Sequence, residues 1–220
     1  MTETSLHAAL KKLYAQSKEY QEILVDGYQI DVIQDDLLIE IQTANFSAIK
    51  KKLADLLPNH PVLLVYPVAL EKWIVRLSAS SNKLLYRRKS PRRGRVEDIF
   101  RELVYITDLL QNPNLQIEII FVREEEVRKA DGLGSWRRKG VSIIDHRLLE
   151  VVCKNRLAGK RDFLALLPET LPPVFSVQDI ARELSLRRSL AQKMAYCLRK
   201  MQILRVSGKH GRALLYGFET

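Results

Sequence analysis

Apolar positions in this chain recur at helical spacing, at strand spacing and in unbroken runs, in an order that predicts an α/β fold. Leu6, Leu10, Leu13 and Tyr14 form one stripe, which predicts a first helix over LHAALKKLYAQS, capped by Ser5. QEILVDGYQIDVI follows, β-branched and alternating, with Gly27 at a bend or bulge. After the turn QDD comes a strand, LLIEIQT. Asn45 or Ser47 opens a second helix, FSAIKKKLADLL, which Pro58 and Pro61 end. PVLLVYPV has almost no polar interruption and reads as a strand buried on both faces beside a parallel neighbour. KWIVRLS reads as a separate strand.

Further along, YRRKSPRRGR (86–95) reads as a loop, and VEDIFRELVYITDLLQ as a helix with Ile99, Leu103, Ile106 and Leu110 inward. LQIEIIFV is a strand, REEEVRKADGLGSWRRKG a charged connection, VSIID a short strand, and HRLLEVVCKNRL the start of a helix. Three prolines in LLPETLPPVF (166–175) mark a boundary, so two domains are expected, 1–165 and 166–220. Beyond it, SVQDIARELSL is a helix with Ser176 and Asp179 in capping-box spacing. RRSLAQKMAYCLRKMQ is a second helix, with Leu190, Met194, Cys197, Leu198 and Met201 inward and Tyr196 assigned to the core. ILRVSGKHGRALLYGF closes the chain as a hairpin with a basic tip.

The segment YQIDVIQDDLLIEIQT (28–43) carries the candidate chemistry. With Asp35-Asp36 as a two-residue corner, residues whose numbers sum to 71 oppose each other. Asp31 then faces Glu40, Ile33 faces Leu38 and Gln29 faces Gln42, while Tyr28, Ile30, Val32, Ile39, Ile41 and Thr43 make an apolar face. Asp-Asp is a poorer corner than Asp-Gly, so a longer loop is the alternative. Two carboxylates with Cβ atoms ~5 Å apart repel. Solvent, a raised pKa or a cation between them would relieve that. A hard divalent cation takes oxygen ligands in this arrangement, and the Ile41 carbonyl could add one more. The bland reading is a solvated polar strand face.

Composition narrows the partner. Net charge is −3 over residues 1–70, +8 over 71–165 and +5 over 166–220, for +10 in total. An acidic third followed by a basic remainder points to a polyanion, most simply nucleic acid. Cys153 and Cys197 match no disulfide or metal spacing and read as two buried thiols. MTETSLHAALKK has no signal-peptide apolar core, and PVLLVYPVAL falls far short of the ~18 residues a bilayer needs. A soluble cytoplasmic protein with no membrane partner is expected.

Asp31, eight residues, then Glu40-Ile41-Gln42, after a helix and before a helix and strand, resembles the PD-(D/E)XK nuclease superfamily over roughly residues 5–80. The resemblance implies a mixed-sheet, restriction-endonuclease-like core and Mg²⁺-dependent (or Mn²⁺-dependent) hydrolysis of a DNA phosphodiester. It makes Asp31 and Glu40 the metal ligands and Gln42 the third catalytic residue. Gln42 stands where the family usually has lysine, as in some restriction enzymes of the group, and Ile30 replaces the motif's proline. Lys50, Lys51 or Lys52 could supply the missing charge, and Glu19 or Glu22 could be the extra upstream acid. Many proteins of this fold have lost catalysis, so a catalytically inactive DNA-binding or regulatory protein is the alternative. Cutting both strands would favour a homodimer.

The C-terminal elements resemble a winged helix, which implies DNA contact through the second helix and the hairpin. Arg187, Arg188, Gln192, Lys193, Arg199 and Lys200 load that helix, and Lys209, His210 and Arg212 the tip. Arg87, Arg88, Lys89, Arg92, Arg93 and Arg95 form the densest positive patch and read as a phosphate-tracking arm. Trp136, beside Arg137 and Arg138, could stack on a base, although a packing role is the stronger expectation for a tryptophan.

Overall fold

The computed structural model of the chain describes residues 3–79 and 81–219. Helix α1 spans Ser5–Tyr14, and its cap is Thr4, one residue ahead of the predicted Ser5; the Thr4 hydroxyl accepts from the His7 N–H. Leu6, Leu10 and Tyr14 are buried, four residues apart, whereas Leu13 is 49% exposed. The stripe follows i, i+4, i+8, which leaves Leu13 at its rim.

Strands β1 (Gln21–Val25), β2 (Tyr28–Gln34) and β3 (Leu37–Ile41) form an antiparallel meander. QEILVDGYQIDVI is therefore two strands. Asp26 and Gly27 both have positive φ, which suits a two-residue hairpin corner. At the second corner Gln34 pairs with Leu37, Ile33 with Leu38 and Val32 with Ile39. Asp35-Asp36 is thus a two-residue turn, with Asp35 left-handed.

Helix α2 (Phe46–Leu56) ends just before Pro58. Strand β4 then runs unbroken through Val62–Leu77, absorbing both predicted strands. Strand β5 (Leu84–Lys89) replaces the first half of the predicted loop. The helix expected from residue 96 is a 3-10 turn, Val96–Ile99, then α3 (Phe100–Leu103), then successive i→i+3 turns through Ile106 and Leu109. β-branched Val104, Ile106 and Thr107 disfavour a regular helix there. Ile99, Leu103, Ile106 and Leu110 are nonetheless all buried.

Strands β6 (Leu115–Lys129) and β7 (Ser142–Leu157) pair antiparallel along their length. The predicted charged connection is thus half strand, and the predicted helix HRLLEVVCKNRL is strand. The helical look of that segment comes from a bulge. Leu148 and Val151, three apart, oppose Glu124 and Val122, two apart, and both pack on the same core. The outer half of β6 is tied to β4 and β5 by charge, with Lys72 on Glu126, Arg87 on Glu125 and Arg123 on Glu71. Such cross-strand pairs do not show in an apolar pattern.

The seven-stranded mixed sheet has the order β1-β2-β3-β4-β6-β7, with β5 also on β4. β3 and β6 run parallel to β4. On one edge β4 receives β3 along Val62–Val65 and β5 along Trp73–Leu77. Both faces are covered. α1 buries Leu6, Leu10 and Tyr14 against Val32, Ile39, Ile41, Leu63 and Ile120. Opposite, Ile30 and Leu38 join Phe46, Leu53, Leu64 and Phe100 in a larger core. The hairpin therefore has no single apolar face, since Ile30 and Val32 enter different cores.

That larger core continues into the C-terminal segment, through Phe163, Leu167, Leu190, Met194 and Tyr216. Residues 1–165 and 166–220 thus share one apolar interior. Its elements are α4 (Lys160–Leu164), β8 (Phe175–Ser176), α5 (Val177–Glu183), α6 (Arg188–Lys200), β9 (Leu204–His210) and β10 (Ala213–Phe218), the strands forming a second sheet in the order β8-β10-β9. Ser176 and Asp179 form the capping box of α5. Cys197 is buried, but Cys153 is exposed, because β7 is an edge strand. Tyr196 is 39% exposed, on the outward side of α6, beside Lys200. Among the described residues no helix is long and apolar enough to cross a membrane.

Leu10→Ala should cost about 2–5 kcal/mol, as a truncation in a closed core does. Leu13→Ala should stay within about 0.5 kcal/mol. Urea midpoints of the two variants test this placement of α1.

Candidate metal centre

The β2–β3 ladder stops at Val32 and Ile39, and past it the Asp31 carboxylate takes over the pairing. Asp31 Oδ2 accepts from the Ile41 N–H at 2.8 Å. The Asp31 N–H approaches Glu40 Oε1 at 3.4 Å. The two acids are neighbours across the ribbon, and Glu40 is buried.

Two cations answer this pair. From α1, His7 Nε2 donates to the Ile41 carbonyl at 2.9 Å and to Asp31 Oδ2 at 3.2 Å. From α2, the Lys52 ammonium lies 2.5 Å from Glu40 Oε1 and also reaches the Gln29 carbonyl. Burial pushes the Asp31 carboxyl up, but His7 and the Ile41 amide outweigh it and hold it below its ordinary value. Burial, reinforced by Asp31, pushes Glu40 up against the pull of Lys52. The bond to Asp31 outweighs burial at His7 and raises its imidazole to about 9.

Of the three candidate lysines, only Lys52 reaches the pair. Lys50 is held by Asp108 at 2.9 Å, and Lys51 is exposed. Gln42 does not face the acids, because its amide donates to the Ala44 and Asn45 carbonyls at 2.6 and 3.3 Å. Glu22 touches neither acid and instead pairs with Lys11 at 2.7 Å. Lys11 also holds Glu3, and Glu3 bonds His7, so Glu22 connects to Asp31 only through α1. His7 was not singled out in the sequence. The spacing of Glu3, His7 and Lys11, four apart, with Glu3 just ahead of the cap and the other two on one stripe of α1, is the signal that could have found it.

The Asp31 carboxylate and Ile41 carbonyl converge on one point, which imidazole Nε2 fills. Glu40, on the neighbouring strand, is met separately by Lys52, so each acid of the pair has its own cation. A cavity of about 350 Å³ opens beyond the end of β3, lined by Thr43, Tyr66, Lys72, Arg92 and His146 among others. A second cluster, Glu124, Glu126 and His146, has ligand atoms within 4.8 Å of one another. Lys72 bridges its acids at 3.4 and 2.7 Å and Arg128 adds a further contact, so its charge is already matched.

The basic residues divide by availability. Arg93 and Arg187 share a cleft of about 260 Å³ with Arg92, Arg95 and Arg101, which pair with Asp98, Glu97 and Asp98, and the cleft brings the arm to the start of α6. Arg188, Gln192, His210 and Arg212 line a groove of about 800 Å³ between α5, α6 and the β9–β10 hairpin, and Lys209 is exposed at its tip. Arg88 is exposed without an ion pair among the described residues. Arg87 and Lys89 instead flank Trp73 and pair with Glu125 and Glu71. Lys193 points inward, donating to the Arg101 carbonyl at 3.2 Å. Trp136 is 82% exposed, contrary to a packing role, because it sits at the tip of the β6–β7 hairpin.

A family model described as a domain of unknown function (DUF8091) matches residues 4–158. An uncharacterized protein of Treponema pallidum (strain Nichols) is 32% identical over 221 residues, covering 97% of this chain and 84% of the relative. No solved structure matches the chain.

The raised His7 pKa fixes a pH dependence. Its contribution to stability is fully present below the ordinary value of about 6.5 and is lost as pH rises through about 9. Asp31, held low, contributes above its ordinary value and loses that as pH falls. Urea unfolding of wild type and His7→Gln should show an advantage for wild type at pH 6 that fades by about pH 9–10.

Proposed function

This chain belongs to the DUF8091 family, a domain of unknown function, and we propose that it is a Mg²⁺-dependent DNA endonuclease hydrolysing phosphodiester bonds. The observation that carries this reading is the placing of Asp31 and Glu40 across from each other at the end of a hairpin, the Asp31 carboxylate meeting the Ile41 carbonyl at His7 and Glu40 meeting Lys52. Lys52 supports the PD-(D/E)XK resemblance, because a lysine from the following helix stands where the motif's own lysine is replaced by Gln42.

Asp31, Glu40 and the Ile41 carbonyl would hold the ion. Mg²⁺, once bound, supplies Lewis acidity that activates a water and offsets charge on a phosphoryl oxygen. Lys52 pulls against the burial that raises the Glu40 carboxyl and presents N–H donors beside that carboxylate. His7 orients the Asp31 carboxylate through Nε2 and is itself held by Glu3 through Nδ1. Gln42 fixes the turn into α2 through its amide, a positioning role.

The helix–helix–hairpin order of α5, α6, β9 and β10, with β8 as third strand, supports reading residues 166–220 as a winged helix. Its groove, with Arg188 and Arg212, and the arginine cleft around Arg93 and Arg187 would track phosphates, in the cytoplasm, with a second copy needed to cut both strands. Two observations favour a catalytically inactive DNA-binding protein instead: Gln42 is committed to backbone carbonyls, and His7 fills the point where the Asp31 carboxylate and the Ile41 carbonyl meet.

Plasmid cleavage in Mg²⁺ separates these. Asp31→Ala should abolish cleavage while DNA binding persists. Lys52→Met should lower the rate about 10²–10³-fold, as loss of a preorganised charge does. Gln42→Ala should leave the rate within a few-fold. Wild type that binds DNA without cutting it would establish the inactive reading.

A further inference from the structure

Strands β6 and β7 carry the 130–141 loop to the end of the sheet, and this loop is built stiffly. The Gly134 N–H donates to the Gly140 carbonyl at 3.2 Å, and the Gly140 N–H to the Ser135 carbonyl at 3.3 Å. Asp131 is spent inside the loop, accepting from the Leu133 N–H and the Ser142 hydroxyl. A Cβ on Gly134 would lie 1.9 Å from the Val141 carbonyl oxygen, so only glycine allows the two arms to close this tightly.

This braced tip holds its largest apolar side chains outward. Leu133 is 85% exposed and Trp136 82%. Arg137, Arg138 and Lys139 follow directly, the Arg137 guanidinium 5.5 Å from the Trp136 ring centroid. With the one acid consumed internally, the tip is a flat ring among three cations. A partner that complements it carries both negative charge and exposed planar faces. Nucleic acid with unpaired bases has both, whereas intact duplex hides its ring faces in the stack.

We propose that the 130–141 tip is a stacking platform for an unpaired base, with Trp136 as the platform and Arg137, Arg138 and Lys139 holding the adjoining phosphates. The DNA taken by this protein therefore has single-stranded character, as at a flap, gap or junction. This inference rests on the nucleic-acid reading above and narrows it to a substrate class.

The chain has two tryptophans, so Trp73→Phe leaves Trp136 as its sole indole reporter. The full-length variant is titrated with a single-stranded oligothymidylate, the matching duplex and vesicles containing phosphatidylserine. Expected are quenching of Trp136 by the single strand and about tenfold weaker single-strand binding in Trp136→Ala, partly restored in Trp136→Phe. Duplex affinity should change little. Single-strand binding with no quenching, or equal losses on both DNA forms, overturns the platform and leaves DNA binding standing. A blue shift on vesicles without quenching by oligonucleotide overturns it in favour of a lipid surface. Failure of wild type to bind either DNA overturns this inference and the proposed function together.

Discussion

Two carboxylates held face to face inside a covered sheet are the constraint on which the rest of this structure turns. Glu40 is buried and Asp31 half-buried, because α1 lies over one face of the hairpin and α2 over the other. Like charges at this spacing destabilise a ribbon unless something offsets them. Each helix therefore delivers a cation. His7 reaches Asp31 from one side and Lys52 reaches Glu40 from the other. The packing of both helices, and with it the two cores, sets whether those cations arrive. Burial and these partners leave the two carboxyls displaced in opposite directions, Asp31 below its ordinary value and Glu40 above it.

The same logic extends along the sheet. Beyond Ala69 the long strands keep only a few buried apolar residues, Ile74, Val75 and Val127 among them, and cross-strand ion pairs add to what holds them. Lys72, Glu124 and Glu126 form one such knot, and Arg123, Glu71 and Glu150 another. The ribbon stays ordered far enough to carry the 130–141 tip away from the core. Meanwhile the C-terminal helices close the far side of the larger core, and Arg187 comes to rest beside Arg93 and Arg95. Basic clusters far apart in the chain are thereby gathered into shared clefts.

How much of this was legible in the sequence depended on what stabilised each segment. Where apolar side chains did the work, the pattern sufficed. It located α1, the Asp35-Asp36 corner, α2, the buried start of β4 and the inward face of α6. Where ion pairs or bulges did the work, it misled. Residues 86–89 and 123–129 looked like charged loops because their strand stability comes from opposite charges. HRLLEVVCKNRL looked helical because a bulge put Leu148 and Val151 on one side. At the site, the spacing of Asp31 and Glu40 was readable from the corner alone. The choice of Lys52 over Lys50 and Lys51, the turning away of Gln42 and the arrival of His7 were not. They depend on how two helices pack across a sheet, which no local pattern encodes.

The central claim is that Asp31 and Glu40 face each other to hold a divalent cation. Calorimetric titration of Mn²⁺ into the full-length protein and into Asp31→Asn, which keeps the side chain's shape and removes its charge, tests it most directly. The account predicts uptake at one site per chain in wild type, lost in the variant while both remain folded. Absence of uptake by wild type, or uptake that survives in Asp31→Asn, would contradict it.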